Sequence, residues 1–210
     1  MAIKFKGYRK DIKKALPESD LPDNAVKFRE PNSVFALNMW ALLFSIPAIL
    51  IVVGFVFLKR RIYPEQIPLF YKLIISPEFY TGFMISFLLF FLCIVPHELL
   101  HAIAFHRDAD VDIYFTSFGA LCYSNNVVSK RRFIGLSLLP SFVLGILPLI
   151  VWLFIPPSSN AADIVYFTAA LNFIAGAGDF MNVFNAMTQM PRGTYQQLSG
   201  FNSYWFYLPE

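Results

Sequence analysis

Long apolar runs alternate with short polar segments along most of this sequence. A helix rises about 1.5 Å per residue, so about 20 residues cross a hydrocarbon core of roughly 30 Å. We therefore predict transmembrane helices over residues 34–58, 79–105, 133–156 and 162–187. The apolar run 69–75 is too short to span a bilayer and predicts an interfacial or re-entrant segment.

A different pattern separates the second and third predicted spans. Two short β-prone runs, 113–116 and 120–123, are bounded by the turn residues Gly119 and Asn125. Short runs of this kind between turn residues predict a β-hairpin or a small sheet. The expected fold is therefore a membrane all-α bundle of about four transmembrane helices, with a small β-hairpin or sheet inserted between helices 2 and 3.

The two ends of the chain lack the long apolar runs. Residues 1–33 are polar and basic and contain three prolines, which predicts a cytoplasmic or interfacial segment. Residues 191–210 form an aromatic tail, and its alternating stretch 203–207 is typical of the membrane interface or of a strand. We favour the interface. The transmembrane core is thus predicted to comprise residues 34–190.

The composition supports a membrane protein. Hydrophobic residues make up 57% of the 210 residues and charged residues only 15%, against about 25% charged in soluble domains. The net charge of +3 needs no nucleic-acid partner, because the basic residues lie at the edges of the apolar runs. The expected surroundings are a lipid bilayer.

A group of ionisable residues interrupts the second predicted span. The sequence His97-Glu98-Leu99-Leu100-His101 puts two imidazoles on one helix face, where both can bind one metal ion. Glu98 lies beside them and can take a proton from a metal-activated water. This is the HExxH signature of zinc hydrolases. Ionisable groups are costly in hydrocarbon, which argues against a chance match.

Two histidines leave a catalytic zinc ion one protein ligand short. Asp179, late in the fourth span, is our candidate, because a carboxylate at that depth needs a partner. A structural hydrogen bond is its alternative role, and Cys122 is a weaker candidate for the ligand. His106 lies about 140° around the helix from His101 and faces elsewhere. Asn172, seven residues before Asp179, is a candidate for substrate binding or for an interhelical polar contact.

The distribution of basic residues predicts the orientation. Four spans place both ends of the chain on one side with the loop 107–132, and this side carries 13 of the 17 Lys and Arg residues. The positive-inside rule assigns that side to the cytoplasm, although Lys59-Arg60-Arg61 would alone favour the opposite orientation. His97 lies about 26 Å along the helix from Tyr80, so the motif is near the cytoplasmic margin of the bilayer.

These features resemble a known class of enzymes. An HExxH motif in a span, a small β-region and a late aspartate in the last span resemble the site-2 intramembrane metalloproteases. The chain is still more similar to the zincin peptidase family of small bacterial multi-pass membrane proteins, which shares His-Glu-Leu-Leu-His and a later Gly-Asp. The resemblance covers residues 80–190. Site-2 enzymes carry an Asn–Pro-rich stretch ending in Asp-Gly, whereas residues 172–179 contain no proline and Phe180 follows the aspartate.

The resemblance implies a ligand set and a reaction. It assigns His97, His101 and Asp179 as zinc ligands and Glu98 as the catalytic base. The expected function is zinc-dependent hydrolysis of peptide bonds in membrane proteins or peptides, within the bilayer or at its margin. The region 110–123 can hold an extended substrate by strand addition. A zinc hydrolase of a lipid amide or ester and a non-catalytic metal-binding membrane scaffold are the alternatives.

Overall fold

The apolar runs of the sequence form helices in the computed structural model, which describes residues 2–31, 33–64, 77–117, 119–157 and 159–208. The short apolar run 69–75 lies outside these residues. Within them, three helical stretches are long and apolar enough to cross a membrane: Val34–Ile62, Tyr80–Ala104 and Lys130–Phe154. A fourth qualifies if Ala161–Ala175 and Ala177–Gln189, which are bent by 43°, count as one span.

The helices are α1 (Ile12–Ala15), α2 (Val34–Ile62), α3 (Pro77–Leu92), α4 (Ile94–Ala104), α5 (Lys130–Ser141), α6 (Leu147–Phe154), α7 (Asn160–Ala175) and α8 (Ala177–Gln189). A π-helical segment, Phe142–Ile146, joins α5 to α6. The strands are β1 (Ala2–Tyr8), β2 (Val26–Lys27), β3 (Asp110–Thr116), β4 (Gly119–Tyr123), β5 (Val128–Ser129), β6 (Tyr195–Ser199) and β7 (Asn202–Phe206). The protein is therefore mostly helical with small sheets, and the prediction of apolar helices with a small β insertion is confirmed.

Contacts divide the chain into two compact units. The first unit takes Met1–Ala41, Ile94–Pro140 and Asp179–Glu210, and the second takes Leu42–Cys93 and Ser141–Gly178. The first unit contains the HExxH motif on α4, the β-strands and the helix α8. The second contains α3, α6 and α7.

Two of the predicted spans are interrupted. The break at Cys93 places Pro96 in the first turn of α4, where the N–H that proline lacks would have no helical acceptor. The break at Gly176 lies where a Cβ atom would come within 2.2 Å of the Ser141 hydroxyl oxygen. Each interruption therefore begins a new helix close to a residue that the sequence marks as a candidate ligand.

The strands belong to the first unit. One sheet has the order β1-β3-β4, with β1 parallel to β3 and β3 antiparallel to β4. The β3–β4 hairpin is the predicted insertion between the second and third spans. The other sheet has the order β2-β7-β6-β5 and is antiparallel. The segments predicted to be interfacial at the two ends of the chain thus contribute β1, β2, β6 and β7 to these sheets.

A buried cluster holds α5 and α8 together in the first unit. It consists of apolar side chains from the N-terminal segment, β5, α5 and α8, and Ala104 at the end of α4 packs against it; its buried members are Phe28, Val128, Phe133, Leu136, Ala186 and Met190. On the other side of α4, Ala102 packs with Val111 of β3, and both are fully buried. The motif helix is therefore fixed between a sheet and two helices.

In the second unit, a buried lysine ties the end of one helix to another. Lys59, in the last turn of α2, is only 5% exposed. Its Nζ donates to the carbonyl oxygens of Trp152 at 2.5 Å and Ile155 at 2.7 Å, where α6 ends. The last carbonyls of a helix lack intrahelical partners and attract cations. The first of the three basic residues 59–61 thus caps α6.

Candidate metal centre

The motif helix α4 brings its ionisable side chains to one buried place. His97, Glu98 and His101 follow the break at Cys93, and the two imidazole centroids are 5.0 Å apart. Glu98 is 8% exposed and His101 is 9% exposed. This agrees with the spacing argument, since residues four apart on a helix share a face.

Asp179 comes to the same place from a different helix. It lies in the first turn of α8, three residues after the break at Gly176, and is 8% exposed. Its Oδ2 is 3.2 Å from Nε2 of His97, and its Oδ1 is 3.2 Å from Nε2 of His101. The carboxylate therefore lies between the two imidazoles, and a helix N-terminus favours its negative charge.

The spacing of these atoms suits a divalent ion. One ligand atom from each of the three side chains lies within 4.8 Å of the other two. Two atoms bound tetrahedrally to zinc at about 2.0–2.2 Å are roughly 3.4 Å apart, close to the spacing found here. Within the described part of the chain, the buried Oδ2 of Asp179 accepts no hydrogen bond despite its short distance to His97. A buried carboxylate oxygen without a hydrogen bond is explained if it binds a metal ion. The three side chains therefore fit zinc.

A backbone oxygen fixes the tautomer of His101. Nδ1 of His101 is 2.8 Å from the carbonyl oxygen of Leu136 on α5. A carbonyl can only accept, so Nδ1 carries a proton, and Nε2 is the nitrogen left to bind a metal ion beside Asp179. Such a partner on the far side of the ring orients a metal-binding histidine and raises its basicity.

Glu98 lies at the site without belonging to the ligand set. Among the described residues, the group that can hold a metal ion consists of His97, His101 and Asp179. The carboxylate of Glu98 is close enough to interact electrostatically with all three, and the backbone of Cys122 on β4 is within hydrogen-bonding reach of it. A buried carboxylate beside a metal site, but outside its ligands, is positioned to exchange protons.

The other candidates lie elsewhere or take another role. Cys122 is not in the metal-binding group of the described chain, and burial, followed by the carboxylates of Glu98 and Asp179, raises the pKa of its thiol. Asn172 lies in the second unit and donates its Nδ2 to the carbonyl of Thr168 within α7, at 2.8 Å. Its role in substrate binding stays a prediction.

Basic residues at the start of α5 contact the ends of both ligand-bearing helices. Arg132 donates from Nε to the carbonyl of Ala104, the last residue of α4, at 2.9 Å. Lys130 donates from Nζ to the carbonyl of Met190, the residue after α8. The sequence offered only a basic cluster at a span edge, and the acceptors were not predictable because backbone carbonyls carry no side-chain signal.

A comparison with protein families bears on this geometry. A family model described as "putative zincin peptidase" matches residues 89–195, just over half of the chain. The chain belongs to the zincin peptidase family. The matched region of this zincin peptidase contains the HExxH motif, the β3–β4 hairpin and Asp179. Family membership indicates a zinc-dependent peptidase activity. No curated protein and no solved structure matches the chain significantly.

Proposed function

We propose that this zincin peptidase is a membrane-embedded endopeptidase that hydrolyses peptide bonds of membrane-associated proteins or peptides. The proposal rests mainly on one observation: two imidazoles from α4 and one carboxylate from α8 meet at one place. Each oxygen of the Asp179 carboxylate is 3.2 Å from the Nε2 atom of one histidine. That donor set is a three-ligand site of the kind that leaves one position open for catalysis.

The residues of the site have different roles in the proposed hydrolysis. His97, His101 and Asp179 would hold the zinc ion. Zinc bound there supplies a Lewis acid that polarises a carbonyl group and makes water more acidic. Glu98 accepts the proton of the attacking water and then delivers it to the leaving amine, so that the carboxylate is regenerated at the end of the cycle. The Leu136 carbonyl keeps the His101 ring oriented throughout.

Exposed apolar side chains support placement in a bilayer. On α2 and α3 the surface is covered by large hydrophobic residues that are more than half exposed; examples are Phe35, Leu50, Phe57, Met84 and Leu92. An apolar surface of that extent around a helix is typical of lipid contact. We therefore place the helical stretches that are long enough to span in the cell membrane.

An extended substrate can add to β4. This strand pairs with β3 along one edge, and the backbone of Cys122 on its other edge lies near Glu98. Backbone groups alternate in direction along an antiparallel strand, so Ala120 presents its N–H and C=O on the same edge as Cys122. Strand addition there would hold an unwound substrate segment beside the carboxylate.

Reconstitution in liposomes tests the proposed activity. Purified protein is incubated with a library of fluorescence-quenched single-span peptides, and we expect cleavage that 1,10-phenanthroline abolishes and added zinc restores. Cleavage that withstands the chelator would contradict a zinc-dependent reaction. Failure of the zinc-loaded protein to cleave any of these peptides, together with release of fatty acid from a lipid amide or ester, would replace the peptidase proposal by the lipid hydrolase.

The site is proposed to face the cytoplasm, which single-cysteine labelling tests. Cys93 and Cys122 are replaced by alanine, and either Asp108→Cys or Arg60→Cys is introduced at an exposed position. With an impermeant maleimide on intact cells, we expect labelling at position 60 but not at position 108. Position 108 should react only after the membrane is opened. The reverse pattern would contradict the orientation, while the site chemistry would be unaffected.

A further inference from the structure

The carbonyl that orients His101 belongs to a residue in the middle of a helix. Leu136 lies inside α5, where each carbonyl oxygen normally accepts from the N–H four residues later. Four residues after Leu136 is Pro140, which has no N–H. The carbonyl of Leu136 is therefore released from the usual helical hydrogen bond, and it accepts from Nδ1 of His101 at 2.8 Å instead.

We propose that Pro140 is a positioning residue for the metal site, acting through Leu136 and His101. By withholding a donor from α5, it keeps the Leu136 carbonyl available to hold the proton on Nδ1 of His101, which leaves Nε2 as the metal-binding nitrogen. This inference rests on the proposed function only in taking His101 as a metal ligand. It does not depend on what substrate is cleaved.

The surroundings of Pro140 support this role. The proline is less than 2% exposed, and Leu136 and His101 are also buried. Solvent therefore has little access to the Leu136 oxygen and to the His101 ring. A buried carbonyl without a partner is costly. The His101 ring supplies the donor that the helix lacks, so each group satisfies the other.

A second contact on the same face of α5 holds the motif helix in register. Arg132 lies four residues before Leu136, on the same side of α5, and its Nε donates to the carbonyl of Ala104 at 2.9 Å. Ala104 lies three residues after His101. The two bonds, one from each helix to the other, fix both the position of α4 along α5 and the rotation of the His101 ring.

The test compares an amide with an ester at position 140. Pro140→Ala restores the N–H, which would compete for the Leu136 carbonyl, whereas incorporation of lactic acid at position 140 gives the same side chain on an ester without any N–H. We expect Pro140→Ala to weaken zinc affinity about 10-fold or more, measured by chelator competition, as loss of a histidine's supporting partner does. The ester protein, which keeps the Leu136 carbonyl free of a helical donor, should bind zinc as tightly as wild type does.

Two further measurements separate this role from a general effect on folding. Pro47→Ala, which removes the proline inside α2, is the matched control and should leave zinc affinity unchanged. In zinc-loaded protein, the ring ¹⁵N and ¹H chemical shifts of His101 should report a hydrogen-bonded Nδ1–H in wild type and in the ester protein, but a weakened or lost hydrogen bond in Pro140→Ala. A change that reflected only the lost proline ring would be equal in the alanine and ester proteins, and that result would overturn the proposal.

The outcomes also distinguish this proposal from the proposed function. If wild-type protein binds no zinc, the metal site itself is wrong. If wild type binds zinc and Pro140→Ala binds it as tightly, with the Nδ1–H still hydrogen-bonded, the role of Pro140 is refuted while the peptidase proposal stands. Should the alanine variant fail to accumulate, Pro140→Gly restores the same N–H and is compared with the glycolic acid ester at position 140: weaker zinc binding in the amide than in the ester supports the role, and equal binding refutes it.

Discussion

Replacing Glu98 with glutamine is expected to slow peptide hydrolysis by about 10²–10⁴-fold while zinc stays bound. Glutamine has nearly the same shape as glutamate and can accept a hydrogen bond from the backbone of Cys122, but it cannot take a proton from water. Glu98 is outside the group that can hold the metal, so its loss should not change metal content. The measurements are turnover of a cleaved single-span peptide in liposomes and zinc per protein by elemental analysis.

Glu30→Gln is the matched control for this experiment. Glu30 is another carboxylate close to a backbone N–H: it accepts a hydrogen bond from that of Ser203 at 2.8 Å, and burial raises the pKa of its carboxyl. Its replacement should leave turnover unchanged, because Glu30 is outside the metal-binding group of the described residues and its carboxylate joins the N-terminal segment to β7. Full activity in Glu98→Gln would refute the general-base assignment. Equal phenotypes of wild type and Glu98→Gln, with zinc bound and no hydrolysis in either, would favour the metal-binding scaffold.

Removal of the Asp179 side chain should have the other large effect, which is on metal binding itself. Asp179→Ala takes away a carboxylate that contacts both imidazoles, so we expect zinc affinity to fall by more than about 100-fold, beyond the 10–100-fold cost of losing a supporting partner. Activity should be lost with the metal. Zinc bound per protein at a fixed free zinc concentration, set by a chelator buffer, is the measurement.

An exposed aspartate provides the comparison for Asp179. Asp108 lies on the surface between α4 and β3, and Asp108→Ala should bind zinc as wild type does. If Asp179→Ala also kept its zinc, the carboxylate would be a structural hydrogen-bonding group. The third ligand would then have to be sought in Cys122, by replacing that thiol in the Asp179→Ala background.

The parts of the site that could be predicted follow from local rules. The proximity of His97 and His101 could be predicted because a helix brings residues four apart to one face, whatever the rest of the fold is. Asp179 could be predicted as a candidate ligand because an ionisable group in an apolar run is costly and needs a partner. In each case one short stretch of sequence contains the whole argument.

The unpredicted parts depend on contacts between distant segments. The strand β1 pairs with β3, which lies more than one hundred residues later, and Ala2 is opposite Asp110. The polar and basic N-terminal segment has no local pattern that predicts this pairing. The aromatic alternation of the tail suits both a strand and the membrane interface, and only the pairing of β7 with β6 and β2 shows the strand. The partner of His101 is the backbone oxygen of Leu136. The sequence indicates that this oxygen is available only through Pro140, four residues later.

The basic residues that cap helix ends have an earlier use during biogenesis. The insertion machinery reads Lys and Arg near the ends of apolar segments before the helices have packed. Under the proposed orientation, Lys130 and Arg132 act as such signals on the cytoplasmic side, whereas Lys59 lies on the opposite side and counts against the rule. In the folded protein all three donate to carbonyl oxygens at helix ends. Replacing any of them would therefore disturb packing as well as membrane insertion.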